Sequence, residues 1–97
     1  MPTYLLLGKY TDQGIKTIKE TTERGERFKE IAKDFGVKVR EILWLMGEYD
    51  VMNIVEAEDD QSVAALLYKA GSWGYVRTTT LRAFTQEEMN SIFAKMD

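Results

Sequence analysis

Midway along the chain, two strand-like runs stand only four residues apart. VKVREILWLM (37–46) is rich in β-branched and aromatic residues and begins with alternation, and VMNIVEA (51–57) has the same character. The intervening Gly47-Glu48-Tyr49-Asp50 is a turn, so the two runs form an antiparallel hairpin. A hairpin at the centre leaves the rest of the chain little freedom, because each flank supplies one further strand and one stretch of helical period.

On the N-terminal side, Tyr4-Leu5-Leu6-Leu7 is too short for a helix and predicts a strand over 3–9, buried on both faces. Asp12 is placed to cap a helix whose apolar positions run from Ile15 and Ile18 to Phe28, Ile31, Ala32 and Phe35. Thr21 to Gly25 interrupts that pattern with weak helix formers and predicts a kink or a break there. Gly36 sits at the C-cap. On the C-terminal side, Asp59 or Asp60 caps a helix with Val63, Leu66, Leu67 and Ala70 on one face, ending at Gly71. Trp73 to Ala83 reads as the fourth strand. Thr85-Gln86-Glu87-Glu88 is a capping box, flanked by Phe84 and Met89 as a hydrophobic staple, and it opens a terminal helix with the stripe Met89, Ile92, Phe93, Met96.

The order β-α-β-β-α-β plus a helix predicts one α+β domain over 1–97. Right-handed crossovers give a ferredoxin-like antiparallel sheet in the order 4-1-3-2, with both main helices on one face. Two helices cannot cover Leu5, Leu7, Leu43, Leu45, Met52 and Ile54 together. The second face therefore wants a cover, either the terminal helix or a second subunit, and the subunit is the reading adopted. Met52 and Ile54 become the candidate dimer interface.

Composition narrows the chemistry. The 97 residues contain no cysteine and no histidine, which removes thiolate chemistry, the commonest general base and the commonest metal ligand. No metal site and no cofactor are expected. Net charge is −3 and no basic stripe carries exposed aromatics, so nucleic acid is not an expected partner. No apolar run approaches the ~18 residues of a membrane span. The first residues, MPTYLLLGKY, lack the basic start of a signal peptide, and a cytoplasmic location is expected. Phosphate-loop and dinucleotide-binding glycine motifs are missing.

With the order of elements in place, the central turn gains meaning. The sequence resembles the GYD domain family through Tyr10-Thr11-Asp12-Gln13-Gly14-Ile15, Met46-Gly47-Glu48-Tyr49-Asp50, Val55-Glu56-Ala57, and Val76-Arg77-Thr78 with Thr80-Leu81-Arg82-Ala83-Phe84-Thr85. Gly47, Tyr49 and Asp50 form the motif itself. The resemblance implies the dimeric α/β-barrel superfamily, in which two ferredoxin-like sheets pack open face to open face, and hence a homodimer or a higher assembly of dimers. Asn53 stands where a small apolar residue is expected in relatives, so a pocket lining there would be particular to this protein.

Five side chains are candidates to line a ligand pocket: Glu56, Asn53, Arg77, Trp44 and Tyr75. Glu56 interrupts an apolar strand and is an acid or base at the cavity rim, a solvent-facing strand end, or the partner of Arg77 or Arg82. Those two arginines have opposite strand parity, so only one can face a cavity, where it would clamp a carboxylate or enolate. Trp44 and Tyr75 are ligand walls or core and interface packing. Asp50 is a general base or a group that bonds turn amides. The superfamily also contains cofactor-free oxygenases whose cavities use Asn, Trp, Tyr and Arg, types that Asn53, Trp44, Tyr75 and Arg77 supply. Three functions follow: an oligomeric domain holding a small apolar or amphipathic ligand; a cofactor-independent oxygenase or isomerase acting on a cyclic substrate; or a structural or regulatory oligomerisation module, similar to the effector domains of leucine-responsive regulators.

Overall fold

A computed structural model describes residues 1–97. In chain order it contains β1 (Thr3–Tyr10), α1 (Asp12–Lys16), a single 3-10 turn (Ile18–Glu20), α2 (Thr21–Asp34), β2 (Lys38–Trp44), β3 (Val51–Glu56), α3 (Asp60–Gly71), β4 (Val76–Ala83) and α4 (Gln86–Ala94). The strands form one antiparallel sheet in the order β2-β3-β1-β4. This is the expected ferredoxin-like arrangement.

Strand register separates the two faces. Leu6 pairs with Asn53 on one side and Thr80 on the other, while its neighbour Leu5 pairs with Ile54 and Leu81. Tyr4, Leu6 and Val55 point to the helices and join Ala32 of α2 with Val63 and Leu66 of α3 in the buried core. Phe28, Ile31 and Leu67 pack around it. Both main helices therefore cover the same face. Because side chains alternate along a strand, Leu5, Leu7, Met52, Ile54, Leu43 and Leu81 share the opposite face. Leu43 and Leu81 are 44% and 45% exposed there.

Several boundaries differ from the sequence expectation. Thr11, rather than Asp12, caps α1: its hydroxyl accepts from the Gly14 amide at 3.1 Å, and its own extended backbone lets Asp12 enter the helix. The helical break falls at 17–20 instead of 21–25, so Thr21 and Gly25 lie inside α2. Packing overrides weak propensity here, because α2 lies over the sheet along Phe28 and Ala32. Trp73 and Tyr75 precede β4, which starts at Val76, since Gly74 turns the chain at φ +87°. β2 ends at Trp44, leaving Leu45 and Met46 in the turn, with Met46 fully exposed. Asp59 is the cap of α3, accepting from the Ser62 amide at 2.8 Å. That bond holds the Asp59 carboxyl below its usual pKa.

The start of α1 is clamped to the segment before β4. Thr11 donates its amide to the Tyr75 carbonyl at 3.0 Å and its hydroxyl to the Gly74 carbonyl at 2.5 Å. A Cβ on Gly14 would stand 2.0 Å from the Tyr75 carbonyl oxygen, a backbone atom that cannot swing away. Gly14→Ala is expected to cost at least the ~1–3 kcal/mol of an overpacked core. A urea midpoint equal to that of the wild type would show that this clamp does not form.

Helix α4 carries the expected capping box. Thr85 Oγ1 accepts from the Glu88 amide at 3.1 Å, and Glu88 Oε1 accepts from the Thr85 amide at 3.0 Å. Yet α4 stands off the sheet, with Phe93 51% and Met96 75% exposed. The radius of gyration is 14.6 Å, against about 13 Å for a compact chain of this size. Thr85→Ala should thus loosen α4 locally by about 1 kcal/mol. The expected readout is roughly fivefold faster amide exchange at Glu88 and Met89, and unchanged rates would place the cap elsewhere. The Thr85 amide, with Arg82 beside it, holds the Glu88 carboxyl below the usual 4.5. A lowered folded-state pKa stabilises the helix above the ordinary glutamate range. That contribution is lost as pH falls from 4.5 through the lowered value.

Candidate functional site

Beneath α2 and α3, the helix-facing side of the sheet is not completely filled. A cavity of about 90 Å³ lies between them, walled by Phe28, Trp44, Trp73 and Tyr75 and floored by Leu6 and Asn53. Its walls are held by polar links at their outer edges. Thr21 Oγ1 meets both the Tyr10 hydroxyl at 2.7 Å and the Trp44 Nε1, which donates at 3.1 Å. The Arg24 guanidinium lies 4.5 Å from the centre of the Tyr75 ring while donating to the Thr17 carbonyl, the Thr17 hydroxyl and the Gly14 carbonyl. Arg27 caps Trp73 in the same way at 4.7 Å. Two tryptophans and a tyrosine are thus fixed in place by α2.

Two features of this cavity oppose stability. Asn53 Oδ1 is buried without a hydrogen-bond partner, and its cross-strand neighbours Leu6 and Ile42 offer none. Such an atom costs about 1–3 kcal/mol. Gly25 stands in the interior of α2, where glycine costs about 0.5–1 kcal/mol relative to alanine. A Cβ there would meet only Ile42 and Trp44 side chains at 3.6–3.8 Å, an ordinary contact, so no clash requires the glycine. What the missing methyl leaves is space in the cavity.

Of the five pocket candidates, Asn53, Trp44 and Tyr75 come together here. Glu56 and Arg77 lie elsewhere. Glu56 shares the open sheet face with Met52 and Ile54, and its carboxylate pairs with Arg40 at 3.1 Å, not with Arg77 or Arg82. Arg40 reaches it because the β2 register slips between Val39 and Glu41. Arg77 stands opposite Lys9, on the open-face parity. Arg82 has the other parity and is occupied by Glu88 at 3.2 Å and by the Thr3 and Ala83 carbonyls. Tyr10, Thr21, Arg24 and Gly25 were not legible as cavity residues. The available signal was the spacing Thr21, Gly25, Phe28, Ala32, a single helix face once the break is moved upstream.

A second, open groove of about 610 Å³ runs between α3 and the edge strand β4. Leu67, Gly71, Val76 and Thr78 line both groove and cavity. At its far end the Tyr4 hydroxyl donates to the Asp60 carboxylate, which raises the pKa of the tyrosine.

The motif turn has a structural use. Asp50 Oδ2 accepts from the Tyr10 amide at 2.9 Å, the Asp50 amide donates to the Gly8 carbonyl, and its carbonyl accepts from Leu45. Gly47 adopts φ +120°, a conformation closed to most side chains. Tyr49 carries Lys9 over its ring at 5.2 Å. The turn thereby ties the hairpin to the end of β1 next to the cavity. The profile of the GYD domain family matches residues 4–93, nearly the whole chain. The chain belongs to the GYD domain family. This GYD domain is 42% identical, over 84 residues, to a Thermus thermophilus protein named "Glutamine synthetase and cystathionine beta-lyase binding protein", covering 86% of this chain and 88% of that one. Among solved structures it is similar to the crystal structure of TTHA0845, also from Thermus thermophilus. The TM-score is 0.55 at 22% identity, over 88% of this chain and 95% of that chain, a likeness of fold.

Proposed function

We propose that this protein is a homodimeric, cytoplasmic binding module that docks on metabolic enzymes and carries out no chemistry of its own. The observation that carries this reading is the apolar surface left over once the helices have packed. Leu5, Leu7, Met52, Ile54, Leu43 and Leu81 line the uncovered sheet face, and α4 does not fold back over them. A second sheet laid across this face about 10 Å away would bury them in a two-fold interface, the barrel arrangement of the superfamily. The name of the Thermus relative supports enzymes as the further partners, glutamine synthetase and cystathionine beta-lyase being the two it states. The α4 stripe and Met46 remain available to them outside the sheet interface.

Purified protein should run at twice the 11.2 kDa chain mass by light scattering. It should also bind purified glutamine synthetase or cystathionine beta-lyase saturably in biolayer interferometry. A monomer at micromolar concentration removes the dimer. Absence of a complex with both enzymes at tens of micromolar removes the partner reading.

A second reading, a small apolar or amphipathic ligand, is favoured by the cavity beneath α2 and α3. No carboxylate lines that cavity, so a ligand there is bound and not turned over by a carboxylate acid or base.

A further inference from the structure

The geometry points to a hydroxylated single-ring aromatic as the ligand of the cavity beneath α2 and α3, with its hydroxyl on the Asn53 carboxamide and its ring between Trp44, Phe28 and Tyr75. The inference rests on the ligand reading above and names the chemistry of that site.

Size comes first. About 90 Å³ is room for roughly three waters at liquid density. It is less than the ~150 Å³ apolar cavity known to admit benzene. A single ring is therefore the upper limit, and it is accommodated by reaching across the boundary shared with the open groove, between Leu67 and Thr78. Shape comes second. The lining includes the aromatic rings of Trp44, Phe28 and Tyr75, which favour a planar guest by stacked or edge-to-face contact. These faces are held by Thr21 and Arg24, so the site is formed before a guest arrives.

Polarity comes third. Asn53 is the polar side chain placed at the centre of the helix-facing sheet surface, between Leu6 and Ile42. Its buried oxygen lacks a donor. A hydroxyl serves either end of a carboxamide, donating to Oδ1 or accepting from Nδ2. A guest without a polar group would leave the amide unsatisfied, and a cationic guest would lose its hydration beside the Arg24 guanidinium that lines the same cavity. Gly25 completes the pattern, because a helix interior that tolerates a methyl group here instead leaves it out, next to Trp44 and Ile42.

The test compares phenol with toluene, which share the ring and differ in the hydroxyl. Each is titrated into the full-length protein while the Trp44 indole N–H, present in every variant, and in the wild type also the Asn53 side-chain amide are followed by nitrogen-edited NMR. In the wild type phenol is expected to shift the Asn53 amide saturably and to bind at least about tenfold more tightly than toluene, the preference a well-made buried hydrogen bond gives. In Asn53→Leu the preference should vanish, and Gly25→Leu, which fills the space, should abolish binding of both. Equal wild-type affinities for phenol and toluene would overturn the hydroxyl assignment and leave an apolar cavity site standing. Saturable binding of neither would overturn the ligand reading itself, leaving a cavity that holds water. The wild-type comparison decides the matter even where a variant fails to fold.

Discussion

Ile54→Glu is expected to convert the proposed homodimer into monomer or aggregate. Ile54 lies near the middle of the uncovered sheet face, paired with Leu5 across β1 and with Glu41 across β2. Burying an isoleucine side chain completely is worth roughly 1.5–3 kcal/mol. The same face offers Leu7, Met52 and Leu81 as well, and the two-fold axis of the proposed dimer would count every residue twice. Ordering of side chains and lost rigid-body freedom offset part of that gain. A glutamate in this position would be desolvated in the interface beside Glu41, and Arg40, the nearby cation, is already paired with Glu56. The effect on association should be several orders of magnitude. Within one subunit Ile54 faces away from the helices, so the monomer fold should survive, and circular dichroism with light scattering separates the two. A variant that retains the dimer mass would place the interface elsewhere, with the α4 stripe the next surface to mutate.

Asn53→Leu is expected to act in the opposite direction and stabilise the chain. Leucine keeps the branched outline of asparagine, its extra bulk has the cavity to enter, and it removes a buried oxygen that has no partner. The expected gain is about 1–2 kcal/mol, or a rise in Tm of roughly 4–8 °C for each kcal/mol in a domain of this size. Calorimetry of both chains at the same protein concentration measures it with the contribution of the proposed dimer held equal. A gain would mark Asn53 as a residue kept at the expense of stability, the usual sign of a functional position. A loss of stability would mean that the amide is satisfied in solution and belongs to the architecture.

The two substitutions lie one residue apart on β3 and probe opposite faces, and only one of the two faces was readable beforehand. Apolar residues at Met52 and Ile54 stood out because two amphipathic helices cannot cover both sides of a sheet. Asn53 stood out through the family resemblance, as a departure from the small apolar residue expected there. Its surroundings were invisible, however, because Trp44, Tyr75 and Phe28 come from three distant segments. Glu56 was legible as an odd carboxylate, but its partner, Arg40, depends on a slip in β2 register that no periodicity announces.

Local chemistry in the sequence determined the elements and their order. The Thr85 capping box, the left-handed Gly36 after α2, and the Val63-Leu66-Ala70 spacing each act through bonds or contacts a few residues apart. The hairpin did the same through the shortness of its turn, and the right-handed crossover rule then left one sheet order. Only the tertiary structure decided where helix α2 begins, that Thr11 rather than Asp12 caps α1, and that a cavity remains under the helices. Those outcomes are set by contacts between residues far apart in the chain. Thr11 bonds the Gly74 and Tyr75 backbone more than sixty residues away, and Gly25 faces Ile42 and Trp44. Pattern along a chain reports which face of an element is buried, whereas the space left between two buried faces depends on how their side chains meet.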